Sequence, residues 1–276
     1  MNYLESKFSL RDRNIILTGA AGLLGRVFAR ALGSAGAKIH LLDIDEQELT
    51  KLESELSELS IAVNCYQVDI TQKNQVSAVI TSIESKGEIN GLINSAAVDP
   101  KFDLTTKLTE ANPTSFTDYS LENWQRSINV NLTGLFLVTQ AVCKNLENQA
   151  AQDCSIINIA STYGLTGPDQ RIYDDGNKVR FFKPLDYTVT KSGVIGFTKA
   201  LAAYYRECGI RVNSLTPGGA FNNHDDGFAN RYSSRTIMGR MADPSEYGAA
   251  VVFLSSTASS YMTGANLVID GGWTAL

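Results

Sequence analysis

The sequence predicts one α/β domain over residues 1–276, doubly wound about a central parallel sheet of seven strands. Three observations carry that expectation. Short apolar runs alternate with longer helical patterns almost from end to end. The runs are continuously apolar rather than alternating, as strands covered on both faces are. A glycine-rich turn, Thr18–Gly25 (TGAAGLLG), sits between the first apolar run and the first helical pattern. No internal repeat, low-complexity tract or linker divides the chain.

The expected strands are 14–18 (NIILT), 38–43 (KIHLLD), 65–69 (CYQVD), 91–94 (GLIN), 155–160 (SIINIA), 211–216 (RVNSLT) and 266–270 (NLVID). Helices are expected over 23–34, 45–59, 72–86, 120–147, 186–208 and 244–254. This βαβ rhythm implies right-handed crossovers with helices on both faces of the sheet. Three connections are long and polar: 98–119, 164–186 and 221–243. They follow the fourth, fifth and sixth strands, leaving the carboxyl ends where open parallel sheets bind ligands. The first two are expected on the substrate side and the third over the substrate.

Composition narrows the function classes. The chain is 43% hydrophobic and 19% charged with a net charge of −5, ordinary for a soluble globular protein. No Lys/Arg cluster favours nucleic acid or an anionic membrane. Cys65, Cys143, Cys154 and Cys208 are scattered without a CxxC, and His40 and His224 are the only histidines. Neither disulfides nor a metal site is expected. No apolar run is long enough to span a bilayer, and a cytoplasmic protein is expected.

The glycine turn suits a pyrophosphate. Gly19 permits a tight turn, Gly22 lets backbone approach the phosphates, and Gly25 lets helix and strand pack closely. Leu23 and Leu24 open the helix whose positive end would face the ligand. Asp43 ends the second strand, where a carboxylate accepts from both adenosine ribose hydroxyls and repels a 2′-phosphate. Ile44, Asp45 and Glu46 follow it with no basic residue. NAD(H) is therefore expected over NADP(H).

Tyr187 and Lys191 (YTVTK) lie at i, i+4 on one helix face. An ammonium there would lower the phenol's pKa from about 10 and make Tyr187 an acid/base near neutrality. Ser161 follows the fifth strand in NIASTYG, and Asn131 lies inside the expected helix 120–147. With NSAA at 94–97, NSLTPGG at 213–219 and the segment GRMADPSEYGAAVVFLSSTASSYMTGANLVIDGGW, these elements occur in order along essentially the whole chain. The sequence thereby resembles the compact, single-domain branch of the short-chain dehydrogenase/reductase family, which implies a Rossmann fold.

The resemblance also implies roles. Tyr187 would be the catalytic acid/base, and Lys191 would tune it and hold the nicotinamide ribose. Ser161 would orient the reacting oxygen, and Asn131 would anchor a water in a relay to Lys191. Asp69, with Ile70 beside it, would meet the adenine. Asn94 and Ala96 would line the cofactor, while Pro217, Gly218 and Ala220 would face its carboxamide. The chemistry implied is hydride transfer between NAD and a carbinol or carbonyl carbon. Assembly as a homotetramer or homodimer is implied through helices 120–147 and 186–208, where Ser192, Gly193 and Gly196 are small.

Two features depart from the pattern. TGxxGxxG replaces the compact branch's TGxxxGxG and resembles the larger branch of nucleotide-sugar epimerases and dehydratases, whose extra C-terminal region has no counterpart after VIDGGW. Ser161 and Tyr187 are also 26 residues apart, about twice the usual spacing. The inserted STYG…DQRIYDD resembles a subgroup associated with bacterial surface-glycan and flagellin-modification sugars. A small sugar-like or sugar-phosphate substrate is implied, with Tyr163, Arg171, Asp174, Asp175, Lys178, His224, Arg231 and Arg235 as polar candidates to contact it. An epimerase or dehydratase that retains NAD, and a non-catalytic NAD-binding module, are the alternative readings.

Overall fold

Seven parallel strands form one sheet in the order β3-β2-β1-β4-β5-β6-β7 in this computed structural model. Residues 2–99, 115–148, 153–174, 176 and 182–276 are described. The strands are β1 (Asn14–Thr18), β2 (Lys38–Asp43), β3 (Val63–Gln67), β4 (Gly91–Asn94), β5 (Cys154–Ile159), β6 (Ile210–Pro217) and β7 (Asn266–Ile269). In register, Ile16 stands opposite His40 on one side and Leu92 on the other. The order reverses direction between β1 and β4, which opens a crevice beyond their carboxyl ends.

Residues that alternate along each strand feed two cores, which is why the strands read as unbroken apolar runs. Ile15, Leu17, Ile39, Leu41, Ile157 and Leu215 pack on one face. That face is covered by α2 (Leu23–Ser34), α3 (Glu46–Glu58) and α9 (Gly248–Ser255). Ile16, Leu42, Leu92, Ile156 and Val212 pack on the other, under α4 (Lys73–Glu84) and α6 (Leu135–Asn148). The helix α7 (Leu185–Tyr204) lies against β6 on the same side as α5 (Leu121–Ile128).

The structure changes several sequence boundaries. β3 begins and ends two residues earlier than expected. The expected helix 120–147 is α5, a π-helical turn at Asn129–Gly134 and α6 in succession. That wide turn directs the Asn131 amide inward to partners distant in sequence. The helix expected to reach 208 stops at Tyr204, where left-handed backbone at Glu207 and Gly209 turns the chain into β6. Two short helices were not expected. α1 (Tyr3–Phe8) carries an Asn2/Glu5 capping box, and α8 (Asp226–Ser233) is capped by Asp225 within the long connection after β6. Among the described residues, no helix is long and apolar enough to cross a membrane.

One buried group in β2 makes the fold sensitive to acid. His40 is 1% exposed, and its Nδ1 has no hydrogen-bond partner among the described residues. Burial, then the charges of Lys38 and Lys86, hold its pKa down to about 4. The unfolded chain takes up this proton near pH 6.5, whereas the folded chain refuses it until about 4. The imidazole's contribution is thus complete above 6.5 and is lost as the pH falls through 4. Denaturant titrations across this range should show a shallower fall in stability for His40→Leu than for the wild type. Identical slopes would refute the assignment.

Candidate active site

The crevice is floored by the turn between β1 and α2. Gly19 has φ +65°, and a Cβ on it would stand 2.6 Å from the Ala96 Cα. A Cβ on Gly25 would stand 2.1 Å from the Gly19 carbonyl oxygen. Gly22 is the N-cap of α2 and offers no side-chain cap. The first-turn N–H groups of α2 thus face the crevice, a donor set matched to a phosphate. Although Leu23 replaces the compact branch's middle glycine, it is 40% exposed and lines the opening instead of filling it. The residues present therefore fit a dinucleotide's pyrophosphate.

Side chains from neighbouring strands fix this turn. The Asp43 carboxylate accepts from the Ala21 N–H at 2.9 Å and the Asp45 N–H at 3.1 Å. Thr18 Oγ1 accepts from the Ser95 and Ala96 N–H groups, each at 3.2 Å, and ties the end of β4 to β1. Asn94 donates to Thr139 and Asn158 beneath the site. Asp69 caps its own turn by accepting from Thr71, while Ile70 is buried against Gly134. Of the expected cofactor positions, Gly19, Gly22, Leu23, Leu24, Gly25, Pro217, Gly218 and Ala220 line the cavity. Asp43, Asp69, Ile70, Asn94 and Ala96 stand outside its lining, and Asn94 and Ala96 brace it from behind.

Of the four expected catalytic positions, Ser161, Tyr187 and Lys191 line the cavity and Asn131 stands outside the lining. Ser161 leaves β5 in extended conformation and caps the turn Thr162–Gly164. Tyr187 sits in the first turn of α7, and Lys191 lies one turn on, its Nζ 5.7 Å from the Tyr187 ring centre. Lys191 Nζ donates to the Ile159 carbonyl at 2.8 Å. The Asn131 amide is taken up by Val98 N–H (2.8 Å), Val98 C=O (3.1 Å) and Thr190 Oγ1 (3.1 Å). Its side chain fastens the loop after β4 to α7 and does not touch Lys191. Asp186, absent from the sequence expectations, is fully buried and accepts from Tyr119, Ser127 and the Tyr187 N–H. A carboxylate there also favours the positive end of α7.

The electrostatics correct one expectation. Burial, and next the Asp99 carboxylate, raise the Tyr187 phenol above its ordinary value, with Ser161 opposing. The expected lowering by Lys191 is overridden because its ammonium lies across the ring, in a site where leaving water costs the phenolate most. Lys191 itself is lowered to about 8 by burial, with Asp99 opposing.

Beyond Tyr187 the cavity, about 690 Å³ in all, sets charged side chains among aromatic ones. Asp99 pairs with Lys183, whose Nζ lies 4.4 Å from the Tyr187 ring centre. Helix α8 covers this end: His224 stacks on Phe228 at 5.1 Å, and Arg231 Nε donates to the Ile172 carbonyl at 2.8 Å. Tyr232 accepts from the Gly219 N–H at 2.6 Å and stacks on Trp273 at 4.5 Å. Among the expected substrate positions, His224 and Arg231 line the cavity. Tyr163 stands behind Tyr187, bonded to Tyr173. Arg171 and Arg235 both pair with Asp169 outside the lining. Asp174 is also outside the lining, and Asp175 and Lys178 fall outside the described residues. Asp99, Tyr173, Lys183, Phe228, Tyr232 and Met241 line this end without having been expected. The only sequence signal was their position in the three long connections.

A profile of the family described as "Enoyl-(Acyl carrier protein) reductase" matches residues 19–274. The chain belongs to the short-chain dehydrogenase/reductase family. The 3-alpha-(or 20-beta)-hydroxysteroid dehydrogenase of Mycobacterium bovis is 35% identical over 261 residues, covering 94% of this chain and 88% of its own. The D-threitol dehydrogenase of Mycolicibacterium smegmatis is 32% identical over 277 residues, covering 98% and 96%. A short-chain dehydrogenase structure from Leptospira borgpetersenii with bound NAD⁺ is similar at a TM-score of 0.82 and 31% identity, over 99% of this chain and 96% of that one.

This short-chain dehydrogenase/reductase is accordingly an oxidoreductase. Its cavity joins a phosphate-ready turn to a buried phenol, with hydroxyl and ammonium partners between them. Such an arrangement can hold a dinucleotide at one end and pass a proton at the other.

Proposed function

We propose that this short-chain dehydrogenase/reductase moves a hydride between NAD(H) and a secondary alcohol or ketone of a polyhydroxylated, sugar-like substrate. The observation that carries the reading is the placement of Tyr187 in one cavity, between the glycine turn and the end that holds Asp99 and Lys183. In reduction, the Tyr187 phenol gives its proton to the substrate oxygen; in oxidation, the phenolate takes it back. Ser161 orients that oxygen, and Lys191 beside the phenol stabilises the phenolate. The nicotinamide, when bound, supplies or accepts the hydride. The glycine turn holds the pyrophosphate, Asp43, Asp69 and Ile70 serve the adenosine, and Asn94 and Ala96 support the cofactor site from behind.

The lining beyond Tyr187 supports a polar substrate over a steroid. Asp99, Lys183, His224, Asp225 and Arg231 offer charge and hydrogen bonds there, beside Tyr173, Phe228, Tyr232 and Met241. The relative named for D-threitol points the same way, and kinship with the surface-glycan sugar subgroup belongs to the same proposal. Oxidation assays with polyols, sugar phosphates and hydrophobic secondary alcohols test it. Turnover confined to the hydrophobic alcohols would sink it.

The preference for NAD(H) rests on Asp43, a carboxylate that shapes the phosphate turn and is partly exposed beside it. Calorimetric titration of wild type should show tighter binding of NADH than of NADPH. Asp43→Ala should weaken NADH and narrow the gap by roughly 10- to 100-fold, the value of about 1.5–3 kcal/mol for hydrogen bonds to a charged group. Equal affinity for both in the wild type would refute the preference.

Homotetramer formation through α6 and α7 is part of the proposal, supported by exposed Phe136 and Val189 on these helices. Ser192 and Gly193 use their small size within the chain, against Gly164 and Leu132, whereas Gly196 faces open space. A monomer mass by light scattering would remove it.

A further inference from the structure

Lys183 is held with unusual care for a residue in an insertion. Gln170 accepts from its N–H at 2.8 Å and donates to its carbonyl at 3.0 Å. Its side chain is 8% exposed, crosses the Tyr187 ring and meets Asp99 Oδ1. Asp99 comes from the connection after β4 and stays 47% exposed at the cavity. Its Oδ2 accepts no hydrogen bond among the described residues.

An ion pair is a costly way to join two loops, because burying the ammonium loses more hydration than an apolar contact would. Here the pair presents an acceptor and a donor side by side, next to the acid/base. A lone anion would meet the Asp99 carboxylate, and a lone cation would meet Lys183. A hydroxyl, which donates and accepts at once, satisfies both.

We propose that the Asp99–Lys183 pair is a specificity determinant that reads the hydroxyl on the carbon next to the reacting one, so that the substrate is a vicinal diol or its α-hydroxy ketone. The inference rests on the acid/base reading of Tyr187 and adds the substrate's chemical class. The Asp99 charge also reaches the reaction, since it raises both the Tyr187 and Lys191 pKa values.

The test compares kcat/KM for trans-vicinal cyclohexanediol with that for cyclohexanol, and includes D-threitol and xylitol, alongside NADH and NADPH titration of each protein. Wild type should prefer the diol by on the order of 10- to 100-fold, the worth of a hydrogen bond to a charged group. Asp99→Asn and Lys183→Met should each erase most of that preference while still binding NADH, and Lys183→Arg should restore part of it. Equal use of diol and cyclohexanol by wild type, a preference unchanged in both variants, or no turnover of any vicinal polyol by NADH-binding wild type would each overturn the inference. Wild type that binds neither NADH nor NADPH would instead bring down the proposed hydride-transfer reading beneath it.

Discussion

Tyr187→Phe lowers kcat by roughly 10²- to 10⁴-fold, the range a positioned acid/base contributes, while NADH still binds. The variant removes one oxygen and leaves the packing in place. The ring keeps its edge contact with Tyr163 and its two ammonium neighbours, Lys183 and Lys191. Because α7 is anchored by Asp186 rather than by the phenol, the first helical turn should also hold. Stopped-flow measurement of NADH formation, with calorimetry on the same preparation, separates the two properties. Turnover within a few-fold of wild type would mean that another group carries the proton. A joint loss of turnover and cofactor binding would mean that the phenol is structural.

Gly25→Ala is expected to be as damaging by a different route. Its Cβ would fall 2.1 Å from the Gly19 carbonyl oxygen and 2.7 Å from that of Ala20. Both are backbone atoms of the turn itself and cannot swing aside as a side chain would. Overpacking of this kind costs about 1–3 kcal/mol or more, and the displaced turn should no longer bind NADH at measurable affinity. Gly167→Ala is the matched control, because nothing lies within 4 Å of a Cβ there. Thermal melting and NADH titration of the pair check the prediction. A Gly25→Ala protein that melts and binds like the Gly167→Ala protein would show that the turn shifts freely.

The sheet was legible because its signal is local. NIILT, KIHLLD and GLIN are apolar runs ended by turn residues, and they match β1, β2 and β4 residue for residue. The glycine turn and the Tyr187–Lys191 spacing were equally local, and both line one cavity. What escaped the sequence depends on distant partners. The π turn at Asn129–Gly134 accompanies bonds from Asn131 to Val98 and Thr190, which no helical period encodes. Arg171 and Arg235 carry the charge a phosphate would want, yet Asp169 neutralises both outside the cavity. Lys183 gave no sign of burial beside Pro184, because the partner that draws it in is 84 residues away. The direction of the Tyr187 shift was likewise hidden, since spacing reveals the neighbouring ammonium but not how dry the site is.

The insertion that lengthens the Ser161–Tyr187 interval starts and finishes on the same helix. At one end Gly164 packs against the Lys191 backbone and accepts from Ser192; at the other, Lys183 and Pro184 lead directly into α7. A segment whose two feet stand on one rigid support behaves as a cassette. Its contents can be lengthened at only about 0.6 kcal/mol of closure entropy per doubling, with the phosphate turn on the far side of the sheet's switch point left untouched. Exchanging part of that segment, with Tyr173 and Lys183 kept beside Tyr163 and Tyr187, is thus a route to retargeting this scaffold while its phosphate turn stays in place.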